Sequence, residues 1–275
     1  MNPSMKEQNA TFRQVTIAVG GGRVSARVGG EGPPIVLLHS LLADDSSFDG
    51  IAGPLSQTHQ VVIFSLPGFG ASDPVAGGID AVADRVAAAI REFGLSQPPI
   101  LLGNGYGGFI ALTAAIRHPG IAARLVLADC GAVFSEPGRA AFRGMSAGAK
   151  EKGLAGIADV AMRRLFSAEF QAANPALIEE RRLRFLAVDP QTFHNACAAL
   201  ATLDLRADLA SLGIPVLVLV GEFDEATPPP MARELAAGLP NAQLQVLAGC
   251  AHVPQLQEPE LFMSAITPFI AANAG

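Results

Sequence analysis

The stretch Leu101-Leu102-Gly103-Asn104-Gly105-Tyr106-Gly107-Gly108-Phe109 decides the fold. An apolar run, Ile100–Leu102, leads into it, and a helix-like run, Gly107–Arg117, leaves it. Between them the glycines sit two before and two after position 105. That is the spacing of the G-x-S-x-G elbow, a strand-to-helix turn so sharp that its central residue takes strained dihedrals. Small flanking residues let the two backbones pass closely.

Around this turn the chain alternates. Val15–Val19 and Arg23–Val28 read as a β-hairpin closed by Gly20-Gly21-Gly22. Ile35–His39, Val61–Phe64, Ile100–Leu102, Leu125–Ala128, Pro215–Val220 and Gln243–Leu247 read as strands. Such continuous apolar runs suit strands buried on both faces of a parallel sheet. Ile79–Phe93, Gly107–Arg117, Pro229–Gly238 and Pro259–Ile270 read as the intervening helices. The pattern predicts an α/β fold, a doubly wound and mostly parallel sheet. Between Phe134 and Leu212 the alternation gives way to helix throughout. Asn174-Pro175 and Asp189-Pro190 look like N-caps followed by proline in the first turn. We therefore expect a core of residues 1–133 and 209–275, with 134–208 inserted after the sixth strand as a helical cap. Arg181, Arg182 and Arg184 in that insertion read as a solvated helix face, with a mild pull on an anionic substrate as the alternative.

Composition narrows the function classes. Half of the 275 residues are hydrophobic and 16% are charged, which excludes a disordered chain. The net charge of −6 makes nucleic acid a poor partner, since phosphate binding needs a basic surface. No apolar run reaches the roughly 18 residues of a membrane helix. The start, MNPSMKEQNA, has no apolar run, so no secretory leader is expected. Cys130, Cys197 and Cys250 are far apart and form no zinc-type spacing. These readings favour a reduced, cytoplasmic protein with neither metal nor cofactor, whose partner is a small molecule.

At the elbow the chain strongly resembles the α/β-hydrolase family, and the resemblance extends over nearly its whole length. His39-Ser40-Leu41-Leu42 matches the oxyanion loop, with serine where glycine is usual. Leu66-Pro67-Gly68-Phe69-Gly70-Ala71-Ser72-Asp73 matches the turn after the next strand. Val220-Gly221-Glu222-Phe223-Asp224 places Asp224 at the acid position, and Gly249-Cys250-Ala251-His252 matches the histidine loop. The order elbow, acid, histidine is the family order. The resemblance implies that Asp224 orients His252, that His252 is the general base, and that the backbone N–H groups of Leu41 and Tyr106 form the oxyanion hole. His39 is read as a structural hydrogen-bonding residue, and Cys130 and Cys250 as packing residues. Asp129 is an alternative acid. The Tyr106 ring and Ser40 are candidate substrate contacts. Two local features, His39-Ser40-Leu41 and Asp224-Glu225-Ala226-Thr227-Pro228-Pro229, resemble the 3-oxoadipate enol-lactonase branch. They imply a small ester or lactone, one that can carry a carboxylate.

The departure is Gly105, which stands where the family places a nucleophile and has no side chain to attack a carbonyl. Three explanations stay open: an inactivated variant of a serine enzyme, a site in which the His252–Asp224 dyad activates water or a substrate proton, as in a lyase or cofactor-free oxygenase, or a non-catalytic binder. Glycine also relieves elbow strain of about 1–3 kcal/mol. The missing hydroxymethyl group is expected to leave the imidazole facing a space that a water can occupy. Ser40 is a possible substitute nucleophile, set against a plainer part in shaping its loop.

Overall fold

A computed structural model describes residues 11–271. The amino-terminal stretch read for a leader, residues 1–10, lies outside them. The chain runs β1 (Arg13–Val19), β2 (Gly22–Gly29), β3 (Pro34–Leu38), α1 (Asp49–Ser56), β4 (Gln60–Phe64), α2 (Ile79–Phe93), β5 (Ile100–Asn104), α3 (Tyr106–Arg117) and β6 (Arg124–Ala128). Five helices follow: α4 (Glu136–Lys152), α5 (Ala158–Leu165), α6 (Ala168–Ala173), α7 (Pro175–Leu186) and α8 (Pro190–Thr202). The chain then closes with β7 (Val216–Gly221), α9 (Pro229–Gly238), β8 (Ala242–Leu247), α10 (Pro254–Gln257) and α11 (Pro259–Ala271).

The strands form one eight-stranded sheet in the order β1-β2-β4-β3-β5-β6-β7-β8. β1 pairs antiparallel with β2, and β2 with β4; every later pairing is parallel. All residues of β3, β5, β6 and β7 are buried. That explains their largely apolar sequences, since helices cover both faces of a parallel sheet. Two apolar clusters lie on the two faces. One joins Val36, Leu38 and Leu101 to α2, α3 and the five-helix segment; the other joins Ile35, Leu37 and Leu102 to α1 and α11. This alternation of β3 residues between the two clusters is the period of two expected of a strand.

Two local expectations need correction. Asp189 caps α8 by accepting from the Thr192 N–H at 2.7 Å, as its sequence suggests. Asn174 does not cap α7; its amide instead donates back to the Phe170 carbonyl at 3.0 Å, closing α6. The sequence pattern also passes over α1, whose Asp-Gly start and internal Pro54 are poor helix formers. It forms because Ile51, Ala52 and Leu55 bury against the sheet.

The elbow shows why its glycines matter. A Cβ on Gly107 would lie 2.0 Å from the Leu38 carbonyl oxygen, and one on Gly103 2.3 Å from that of Gly107. β3, β5 and α3 can cross at this distance only without side chains. The parallel strands all end on one edge of the sheet, and the loops leaving β3, β5, β6, β7 and β8 converge there. In open α/β sheets this edge is where ligands bind.

Candidate active site

Gly105 stands between β5 and α3 with φ 54° and ψ −119°. Its N–H donates to the Ala128 carbonyl at 2.9 Å, which fastens the turn to β6. Across from it is His252, delivered by the loop after β8. His252 Nδ1 donates to Asp224 Oδ2 at 2.9 Å, and both residues are buried. Asp224 Oδ1 accepts from the N–H groups of Ala226 (2.8 Å) and Thr227 (3.0 Å), and Oδ2 from the Thr227 hydroxyl (2.6 Å). Burial alone would raise the Asp224 carboxyl, but the His252 charge and the hydrogen bonds from His252 and Thr227 outweigh it. The carboxyl is held below its ordinary value. With the Nδ1 proton engaged by Asp224, the Nε2 lone pair faces the elbow.

A hydroxyl borders the space beside Nε2, which opens into the cavity described below. Ser40 Oγ lies 3.4 Å from His252 Nε2. A Cβ built on Gly105 would meet that same hydroxyl at 2.5 Å and Nε2 at 2.8 Å. The Ser40 loop is fixed from behind: its carbonyl accepts from His39 Nδ1 at 2.9 Å, while His39 Nε2 accepts from the Leu66 N–H at 3.1 Å. Burial lowers the His39 pKa, in keeping with this neutral tautomer. Among the described residues neither the Leu41 N–H nor the Tyr106 N–H has an acceptor. The structure thus brings Ser40, Leu41, Gly105, Tyr106, Asp224 and His252 together at one place.

Beneath the elbow is a polar network that sequence reasoning missed. Asn104 donates to the His252 carbonyl (2.9 Å) and to Asp129 Oδ2 (3.2 Å), and its Oδ1 accepts from Gln255 (3.1 Å). Asp129 takes a positive φ of 52° and accepts from the Gly221 N–H at 2.8 Å. Burial, then the nearby Asp224 charge, push its carboxyl well above the usual range. The acid that orients His252 is Asp224. Asp129, Asp224 and His252 place ligand-type atoms within 4.8 Å of one another. Within this cluster His252 is bonded to Asp224, and the carboxyl oxygens also accept from Asn104, Thr227 and the N–H groups of Gly221 and Ala226. Cys130 and Cys250 are buried packing groups, and burial pushes the Cys250 thiol up to about 12.

Asp129 gives a pH signature. A carboxyl whose pKa is raised by folding favours the native state fully below its unfolded value of about 3.9, and that contribution is lost as pH rises toward the folded value. The melting temperature of the protein, measured relative to Asp129→Asn, is therefore expected to fall as pH rises from about 4 to 7. A constant difference over that range would show that Asp129 is ionised in the folded state.

The site opens into a small, mostly apolar cavity of ≈ 30 Å³. Its walls include Tyr106 and Phe109, and Phe134, Phe142, Met145 and Leu200 from the segment after β6. Arg164 of α5 also lines it, with its guanidinium 5.9 Å from the Phe142 ring centre. Among the described residues Arg164 makes no ion pair or hydrogen bond. The other arginines of this segment behave differently from expectation. Arg181 is buried, not solvated, and bonds Ser46 (2.9 Å) and Glu180 (2.7 Å). Arg184 pairs with Asp44 at 3.0 Å, and Arg182 with Glu179 at 3.3 Å. Arg181 and Arg184 fasten α7 to the loop after β3; Arg181 thus leaves the expected solvated face, while Arg182 and Arg184 stay half-exposed on it. Sequence reasoning missed Arg164 and Thr227: Arg164 reaches the cavity only through the packing of α5, and Thr227 braces Asp224 from three residues further along the same loop.

A nucleophile-elbow turn, a histidine–carboxylate pair and two unpaired N–H groups on this sheet define the α/β-hydrolase class. Residues 35–265 match the alpha/beta hydrolase family, and the chain belongs to it. It is 31% identical over 269 residues to the polyketide synthase ThaQ of Burkholderia thailandensis, covering 93% of this chain but only 13% of that much longer protein. It is 25% identical to 3-oxoadipate enol-lactonase 2 of Acinetobacter baylyi, covering 85% of this chain and 87% of the other. Its structure superposes on a thermophilic esterase from Thermogutta terrifontis with a TM-score of 0.85, at 26% identity, over 94% of this chain and 98% of the esterase. No helix among the described residues is long and apolar enough to cross a membrane.

Proposed function

We propose that the protein hydrolyses small carboxylic esters or lactones that carry an acidic group. One observation carries the reading: a buried His252–Asp224 pair directs Nε2 toward an elbow flanked by two N–H groups without acceptors among the described residues. The N–H groups of Leu41 and Tyr106 fit an oxyanion, and His252 fits the base that draws a proton from the attacking oxygen and returns it to the leaving one. Its esterase and enol-lactonase relatives support the reaction class.

Residues 134–208 act as a cap in this reading. The cavity has room for a water or two, so substrate enters as Phe142 and the pliable Met145 swing aside. Arg164, with no carboxylate of its own, is the group suited to a substrate carboxylate. A panel of p-nitrophenyl esters and lactones, neutral and carboxylate-bearing, tests this. Hydrolysis is expected, with acid-bearing substrates preferred; Arg164→Gln raises KM for those about 10-fold and leaves the neutral ones alone. No turnover across the panel would count against the reading, and a ligand that raised the melting temperature without being turned over would favour a binder.

A further inference from the structure

We propose that Ser40 is the nucleophile of this site, in a Ser40–His252–Asp224 relay whose hydroxyl comes from the loop after β3 instead of the elbow. The inference rests on the hydrolase reading and concerns which oxygen attacks.

Four observations converge. First, the only partner of His252 Nε2 among the described residues is Ser40 Oγ, at 3.4 Å. Catalytic hydrogen bonds are often this long before substrate tightens them. Second, the base is set for this role, since Nδ1 is held by Asp224 at 2.9 Å and Nε2 is left to accept. Third, Ser40 Oγ lies 2.5 Å from where a Gly105 Cβ would be. It therefore occupies the same corner that an elbow side chain would enter, and only glycine at 105 leaves room for it. Fourth, Ser40 lines the cavity and directly precedes Leu41, whose N–H is unpaired. Its hydroxyl has no structural duty: the loop is held by the Ser40 carbonyl, which accepts from His39 and from the Ala43 N–H at 3.3 Å.

The chemistry balances without an added group. Ser40 Oγ gives its proton to His252 Nε2 and forms a bond to the carbonyl carbon. The alkoxide leaves and takes that proton, and the acyl group remains as an ester on Ser40. Water then gives a proton to His252 and attacks the acyl carbon; Ser40 Oγ departs and regains its proton. A lactone follows the same course, with the leaving alkoxide still tethered to the acyl chain.

A fluorophosphonate provides the test, because its phosphorus accepts the serine oxygen and releases fluoride whatever the natural substrate is. Intact-mass and peptide analysis is expected to place one adduct on Ser40, absent from Ser40→Ala and slowed in His252→Ala. With the best ester of the panel, Ser40→Ala is expected to lose about 100-fold or more in kcat with little change in KM. Should Ser40→Ala destabilise its loop, Ser40→Cys serves in its place: iodoacetamide is expected to alkylate position 40 ahead of the buried Cys130, Cys197 and Cys250. An adduct elsewhere, or full ester turnover by folded Ser40→Ala, overturns the proposal while the hydrolase reading stands, with His252 then acting on water. An adduct on Ser40 in a protein that turns over no ester or lactone supports the nucleophile and instead sinks the substrate class.

Discussion

Gly105→Ser is expected to raise ester hydrolysis by roughly 10²–10⁴-fold in kcat. An elbow serine is carried beside the Tyr106 N–H, so attack and oxyanion stabilisation come from adjacent residues of one rigid turn. Ser40, on a separate loop, lacks that alignment. The gain has a structural cost. The new Cβ would sit 2.5 Å from Ser40 Oγ and 2.8 Å from His252 Nε2, so both side chains must give way. The φ of 54° adds backbone strain of about 1–3 kcal/mol for any residue but glycine. A lower melting temperature should therefore accompany the higher rate. Removing the Ser40 side chain as well, in Gly105→Ser/Ser40→Gly, relieves the crowding and is expected to give the larger gain of the two. Steady-state kinetics on one p-nitrophenyl ester, with thermal melts, reads both effects. A folded Gly105→Ser protein that gains nothing would show that the base and oxyanion groups are not aligned for acyl transfer.

The second large effect is a loss. His252→Ala is expected to lower kcat/KM by roughly 10²–10⁴-fold, the usual worth of a placed general base. KM should change little, because the imidazole makes its contribution at the reacting oxygen. Asp224→Asn is expected to follow the same direction, since an amide cannot hold Nδ1–H and leave Nε2 free in the same way. Far-ultraviolet circular dichroism and a melt establish that each variant is folded. Equal activity in His252→Ala would remove the histidine from the mechanism and with it the Ser40 relay.

Much of this was legible in the sequence because the relevant signals are local. Apolar runs, elbow glycines and the order of Asp224 and His252 are read within a few residues, and the eight-stranded sheet follows them. What escaped is what depends on distant partners. Ser40 and His252 are 212 residues apart, and Asn104 and Gln255 are 151 apart. No spacing rule announces that such side chains meet. Arg181 looked solvated because its helix is rich in charge; Ser46 and Asp44, which draw it inward, arrive from the loop after β3. α1 escaped for the opposite reason, since burial overrode the poor local propensity of glycine and proline.

Asn104 deserves a last consideration as a brace. It grips the carbonyl of His252 and is itself held by Gln255. The base is thus positioned by the residue next to the elbow's centre, through contacts that involve nothing at position 105. Machinery for moving a proton and machinery for attacking carbon are separately supported in this architecture. Placing an attacking group at 105 then asks Ser40 and the His252 ring to shift, while the Asn104 brace on the His252 backbone stays as it is. A fold arranged this way can change its reacting atom while keeping its acid–base apparatus, which makes it a ready starting point for new activities, natural or designed.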